Sequence, residues 1–169
     1  MKKYNVGILG ATGAVGREML KVLGERNFPI NELRLFASQR SEGKVIEFQG
    51  KKYKVEVAKK GVFNGLDIVL GAASSTVAKE LASDIVASKA IFIDNSSAFR
   101  MNDDVPLVVP EINGDDVFKN KGIIANPNCS TIITLMAINA INKMSLIEAI
   151  VASTYQATSG AGAEGPIAL

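Results

Sequence analysis

Short apolar runs that alternate with longer segments of helical period predict an α/β fold, a doubly wound and mostly parallel sheet covered by helices. Two further observations support it. A glycine-rich turn separates the first apolar run from the first helical segment, as a βα unit requires. The 169 residues, 47% hydrophobic and 21% charged, are enough for one sizeable core and too few for two full domains.

The elements follow in order. "YNVGILG" reads as a buried strand, and "AVGREMLKVLGER" sets Val15, Met19, Leu20, Val22 and Leu23 on one helical face. "ELRLFAS" is the second strand of the parallel set, "LDIVLGAAS" the third and "AIFIDNSS" the fourth, with a helix over "STVAKELASDIVAS" before the last of these. Between the second and third, "KVIEFQGKKYKVEVA" reads as a hairpin excursion with Gly50 near its turn. A short strand, "GIIAN", leads into Pro127, Asn128 and Cys129, and "STIITLMAINAINKM" places Ile132, Ile133, Met136, Ala140 and Ile141 at helical spacing.

Charge and composition exclude several classes. Nineteen basic and seventeen acidic residues give a net charge of +2 without a dense Lys/Arg stripe, so no nucleic-acid partner is expected. The basic N-terminus lacks a signal-like apolar segment, and no apolar run reaches membrane-spanning length. A single cysteine allows no internal disulfide and fits a reducing cytosol, the expected location. No metal ligands are assigned.

The first strand ends in Gly10-Ala11-Thr12-Gly13-Ala14-Val15-Gly16. Glycines there let the backbone approach a pyrophosphate, while a helix N-terminus supplies free N–H groups and a positive dipole end. Such a turn makes the fold Rossmann-like and implies a dinucleotide, the other reading being a purely structural βα turn. The second strand should end near Ala37, where an NAD site would place an acid for the ribose hydroxyls. This chain has "ASQRSEGK" instead, in which Ser38, Arg40 and Ser41 suit a 2′-phosphate. NADP is therefore the expected cofactor, although Arg40 could also be a solvated loop residue and Glu42 shows that the loop admits an acid.

Cys129 is the other candidate for chemistry. A thiolate can add to an aldehyde, the thiohemiacetal can give up hydride to a nicotinamide, and phosphate can attack the thioester that remains. With Pro127 and Asn128 forming a turn, a Cys129 at the first helical position would have its thiolate stabilised by the helix dipole. The alternative is a small buried hydrophobe. A catalytic cysteine usually works beside a histidine, and the chain contains none.

"GILGATGAVG", "ASQRSEGK", "IDNSSAFR", "ANPNCSTI" and "TYQATSGAG", in this order, resemble the N-terminal part of bacterial aspartate-semialdehyde dehydrogenases over essentially the whole chain. The likeness to N-acetyl-γ-glutamyl-phosphate reductases is weaker, because those carry an aromatic residue after the cysteine and this chain has Ser130. The resemblance implies NADP-dependent interconversion of L-aspartyl-4-phosphate and L-aspartate 4-semialdehyde through a cysteine thioester, in the biosynthesis of lysine, threonine and methionine. It also implies a homodimer or homotetramer for the complete protein.

Site residues carry over one by one. Cys129 would be the nucleophile, Asn128 its neighbour, and Gln156 the glutamine that orients substrate. Arg100 would hold phosphate, together with Ser159 and Gly160. Gly10, Thr12, Gly13, Ala14, Val15 and Gly16 would contact the cofactor phosphates, Ser38, Arg40 and Ser41 the 2′-phosphate, and Ala73 and Ser74 the middle of the cofactor. Residues 1–146 would be the NADP-binding domain with the catalytic cysteine. Residues 147–169 would begin an α+β catalytic and dimerisation domain, opening with a strand over "IEAIVASTYQATS" that exposes Ile150, Val151 and Tyr155. The family's general base lies in that second domain, which would account for the missing histidine and make the chain a fragment. A non-catalytic NADP-binding module remains the alternative.

Overall fold

The computed structural model describes residues 2–158. Seven strands form one sheet: β1 (Tyr4–Leu9), β2 (Ile30–Ala37), β3 (Val45–Phe48), β4 (Lys51–Val57), β5 (Ile68–Gly71), β6 (Ile91–Asp94) and β7 (Ile123–Ala125). Their order is β3-β4-β2-β1-β5-β6-β7, and every pairing is parallel except that of β3 with β4. The 45–57 hairpin is thus an extension of the main sheet, because β4 pairs in parallel with β2. Arg34 on β2 reinforces that junction with a two-pronged hydrogen bond to Glu56 at 2.9 and 2.5 Å.

Strand alternation sorts the core onto two faces. Val6 and Ile8 of β1, with Leu33, Leu35 and Ala37 of β2, pack with Leu20 of α1 (Ala14–Glu25). Leu9, Phe36, Val69 and Phe92 point the other way and pack under Ala78, Leu81, Ala82 and Ile85 of α2 (Ser75–Ala87). Helices on opposite faces of a parallel sheet give the doubly wound arrangement that the sequence predicts. The Phe36 and Phe63 rings, fully buried and 5.1 Å apart, anchor the α2 side.

Helical periodicity and burial part company in two helices. The apolar stripe of α1 is only partly covered: Leu20 is buried, but Val15 and Val22 are exposed. Val15, Met19, Val22 and Leu23 instead line an open groove of about 370 Å³ with Leu70 of β5 and Ile93 of β6. In α4 (Cys129–Asn142) no residue is buried, so its apolar periodicity marks a helix without marking a core.

A short helix, α3 (Pro110–Asn113), and a 3-10 segment, Gly114–Lys119, connect β6 to β7 and have no counterpart in the sequence reading. They are too short for helical periodicity to register. Asn113 braces them, accepting from the Val109 N–H and donating to Leu107 O and Asp116. Hydrogen bonds from Lys119 and Asn113 hold the Asp116 carboxyl below the usual carboxylate range.

The strand expected from residue 147 is not formed within residues 147–158. An extended segment becomes a strand only by donating and accepting hydrogen bonds along a neighbour, and among the described residues no strand pairs with this one. Ile150, Val151 and Tyr155 are exposed, as the sequence predicts. No helix among the described residues is long and apolar enough to cross a membrane.

Candidate active site

Because the chain runs from β1 to β2 on one side and later returns to β5 on the other, a crevice opens at the carboxyl ends of these strands. There Leu9, Gly10, Ala37, Ser38, Ala73 and Val77 line a cavity of about 320 Å³. Gly10 follows β1 at φ +89°, a conformation that costs an L-residue strain, and a Cβ on it would stand 2.5 Å from the Ala72 carbonyl oxygen. Gly13 is the N-cap of α1 without a side-chain cap, and the first turn holds no acidic residue, so its N–H groups remain available to an anion. A Cβ on Gly16 would press on the Gly10 carbonyl oxygen and lie 2.8 Å from the Ala11 Cα. Both obstacles are backbone. Gly16→Ala is expected to lower stability by about 1–3 kcal/mol, read by urea denaturation, and a wild-type midpoint would show that the turn has room to yield.

The segment after β2 adjoins this turn: the Ser41 hydroxyl is buried and lies 3.4 Å from that of Thr12. Arg40 is exposed in the 3-10 turn Gln39–Ser41 and does not line the cavity, whereas Ser38 does. The Glu42 carboxylate accepts a hydrogen bond from Gln39 Nε2 at 2.7 Å. Ser74 caps α2 by accepting from the Val77 N–H, and Ala73 beside it lines the cavity. Thr12 is half-buried and Ala14 exposed; Val15 lies on the groove beside β5 and β6, apart from this cavity. The glycines and the uncapped helix N-terminus, with its N–H donors, fit a dinucleotide phosphate.

Cys129 is the first residue of α4 and is exposed. Asn128 is the N-cap, its Oδ1 accepting from the Ser130 N–H at 3.0 Å. Pro127 before it is buried and fixes the approach to the helix. Gln156, 27 residues further on, brings its Nε2 to 4.0 Å from Cys129 Sγ. Cysteine, N-cap and glutamine therefore come together as expected.

Arg100 is half-buried and not a solvated surface residue: Nε donates to Asn126 O and Nη2 to Asn95 O, each at 2.9 Å. Ser159 and Gly160 lie outside the described residues. Sequence reasoning missed Asn95 and Asn126, whose side chains join at 2.6 Å, and Asp94, fully buried and bonded to Ser96. The one available signal was the density of amide and hydroxyl residues in "IDNSS" and "NPNCS", immediately after two buried strands.

Comparison with known proteins agrees with this geometry. Residues 5–120 match the family model "Semialdehyde dehydrogenase, NAD binding domain". An aspartate-semialdehyde dehydrogenase of Aquifex aeolicus is 56% identical over 164 residues, covering 95% of this chain and 48% of the relative. That of Synechocystis is 51% identical over 158 residues, covering 94% and 47%. The crystal structure of aspartate semialdehyde dehydrogenase II of Vibrio cholerae complexed with ASA superposes with a TM-score of 0.94 at 44% identity, covering 98% of this chain and 50% of that one. The chain thus spans about half the length of the curated relatives it matches. With a doubly wound sheet, a glycine turn open to an anion and a family match over most of its described length, this chain belongs to the semialdehyde dehydrogenases and carries their NAD-binding domain.

Proposed function

We propose that the chain is the cofactor-binding half of an NADP-dependent aspartate-semialdehyde dehydrogenase that reduces L-aspartyl-4-phosphate to L-aspartate 4-semialdehyde and releases phosphate. The observation that carries this reading is the position of Cys129, exposed at the first turn of α4 with the Gln156 amide 4.0 Å from its sulfur. In this reaction Sγ attacks the acyl carbon, the carbon–phosphate oxygen bond breaks, and phosphate leaves a thioester on Cys129. The thioester carbonyl would be reduced by hydride from NADPH held at the Gly10–Gly16 turn, which would leave as NADP. The resulting thiohemiacetal collapses to the aldehyde and returns the thiol.

The chain's own groups suit these steps. Backbone N–H groups of the first α4 turn favour negative charge on sulfur or on a developing oxyanion. Gln156 holds an amide donor beside the same sulfur. Arg100, fixed through Nε and Nη2, keeps Nη1 for the departing phosphate, and Ser159 and Gly160 are assigned to the same group by resemblance. The general base and the residues that hold the substrate carboxylate belong to the second domain, which residues 147–169 begin. The complete protein would be cytoplasmic and a homodimer or homotetramer.

Gly10 to Gly16 would hold the pyrophosphate, Ala73 and Ser74 the central part of the cofactor, and Ser38, Arg40 and Ser41 the 2′-phosphate. Arg40 is exposed two residues after Ser38, which lines the cavity, and would reach the phosphate by a charge-assisted hydrogen bond. Arg40→Ala in the full-length protein is therefore expected to weaken NADP by roughly 1.5–3 kcal/mol and to leave NAD nearly unchanged, measured by calorimetry. Equal weakening of both would make Arg40 structural. The reading as a whole is tested by phosphate-dependent NADPH formation from L-aspartate 4-semialdehyde with the full-length protein. Absence of that activity would overturn it.

A further inference from the structure

We propose that Asn126 and Asn95 are positioning residues, a side-chain amide pair that sets where Cys129 stands relative to the cofactor crevice. The inference rests on the reading of Cys129 as the nucleophile and adds the residues that place it.

Asn126 is held through its backbone N–H, its backbone carbonyl and its side-chain Nδ2. Its N–H donates to Asp94 O at 2.8 Å, continuing the β6–β7 ladder by one bond. Its carbonyl accepts from Arg100 Nε at 2.9 Å. Its side-chain Nδ2 donates to Asn95 Oδ1 at 2.6 Å. The direction of this last bond follows from its surroundings: the same amide atom lies 3.5 Å from Pro127 O, which can only accept. Asn95 is tied in turn to β5, its N–H donating to Gly71 O at 3.1 Å, and its carbonyl accepts the other arm of Arg100. Gly71 is followed directly by Ala72 and Ala73, and Ala73 lines the cofactor cavity.

A continuous set of hydrogen bonds therefore runs from the cofactor side of the sheet to the residue three positions before the sulfur. Little slack remains between Asn126 and Cys129. Pro127 is buried with φ fixed by its ring, and Asn128 is pinned as the N-cap by its bond to the Ser130 N–H. The amide pair borders the groove formed by Val15, Met19, Leu70 and Ile93, whose walls are otherwise mostly apolar, so few polar groups there compete for it.

The pair matters to function if placement of Sγ depends on it. Misplacement of a reacting group by about 1 Å is worth up to two orders of magnitude in rate. The test uses the full-length protein. Alkylation of Cys129 by neutral iodoacetamide at pH 7 is followed by peptide mass spectrometry, alongside kcat, NADP affinity and the thermal midpoint. Asn126→Ala and Asn95→Ala are each expected to slow alkylation and kcat about tenfold, with NADP affinity unmoved. Asn95→Asp keeps an acceptor for Asn126 Nδ2 and is expected to stay within about threefold of wild type. That rescue separates a positioning bond from general packing.

Should the alanine variants fail to fold, Asn126→Ser, too short to reach Asn95, is compared with Asn95→Asp in the same way. Equal, wild-type rates in all variants overturn the proposal while leaving the nucleophile in place. The proposal is equally overturned if Asn95→Asp is as slow as Asn95→Ala. If wild-type Cys129 reacts no faster than free cysteine, the nucleophile reading itself fails and the positioning role falls with it.

Discussion

Cys129→Ser in the full-length protein is expected to reduce dehydrogenase turnover by three or more orders of magnitude, the scale typical of removing a covalent nucleophile, while NADP affinity stays within about twofold. The two effects separate because the structure separates the groups. The cavity bounded by Gly10, Ser38 and Ala73 contains no atom of Cys129, which sits two strands away at the end of β7. Serine preserves size and helix position, so the cap by Asn128 and the contact with Gln156 need not change. What is lost is the thiolate: a hydroxyl is almost entirely protonated near neutral pH and is a far poorer nucleophile without a paired base. Substantial residual turnover would mean that the acyl group never rests on residue 129.

The Gly10 to Gly16 turn was readable because each requirement is local: a buried strand, glycines where a Cβ would strike backbone, and a helix without a cap. Cys129 was readable for the same reason, since Pro127 and Asn128 announce a helix start within three residues. The Asn95–Asn126 pair was not, because its partners lie 31 residues apart and meet only once β6 and β7 are side by side. Arg100 was assigned to phosphate by resemblance; its grip on two carbonyls depends on the same strand pairing.

Burial was less legible than secondary structure. Periodicity identified α1 and α4 as helices but gave no account of what lies opposite, and the apolar faces of both are partly or wholly open. The strand expected over residues 147–159, and not formed within 147–158, shows the same limit: β-propensity describes fit to a neighbouring strand, and no ladder forms without one. Exposed apolar side chains recur along the chain. Val15 and Val22 of α1, Ile133, Met136 and Ile141 of α4, and Ile150, Val151 and Tyr155 are all apolar and exposed.

That exposure leads to the second large effect, the separation of binding from chemistry in the 169-residue chain itself. The parallel sheet, its two covering helices and the glycine turn lie within residues 4–87 plus β6 and β7, so the chain is expected to bind NADP. It is expected to show no phosphate-dependent oxidation of aspartate semialdehyde above background. The chain contains no histidine, and a positioned base alone is worth roughly 10²–10⁴-fold in rate. In the proposed reading the residues that fix the substrate carboxylate also belong to a second domain, so orientation would be lost along with proton transfer. Cys129 would still carry its helix position and its Gln156 contact, and its presence alone would not rescue turnover. The unpaired segment with Ile150, Val151 and Tyr155 exposed should also drive association, visible as a concentration-dependent increase in size by light scattering. The decisive measurement sets NADPH formation by absorbance beside NADP binding by calorimetry on the same purified chain. Binding without turnover supports a base supplied from outside these residues; robust turnover would place every essential proton transfer on groups within them, and the missing histidine would need no second domain to explain it.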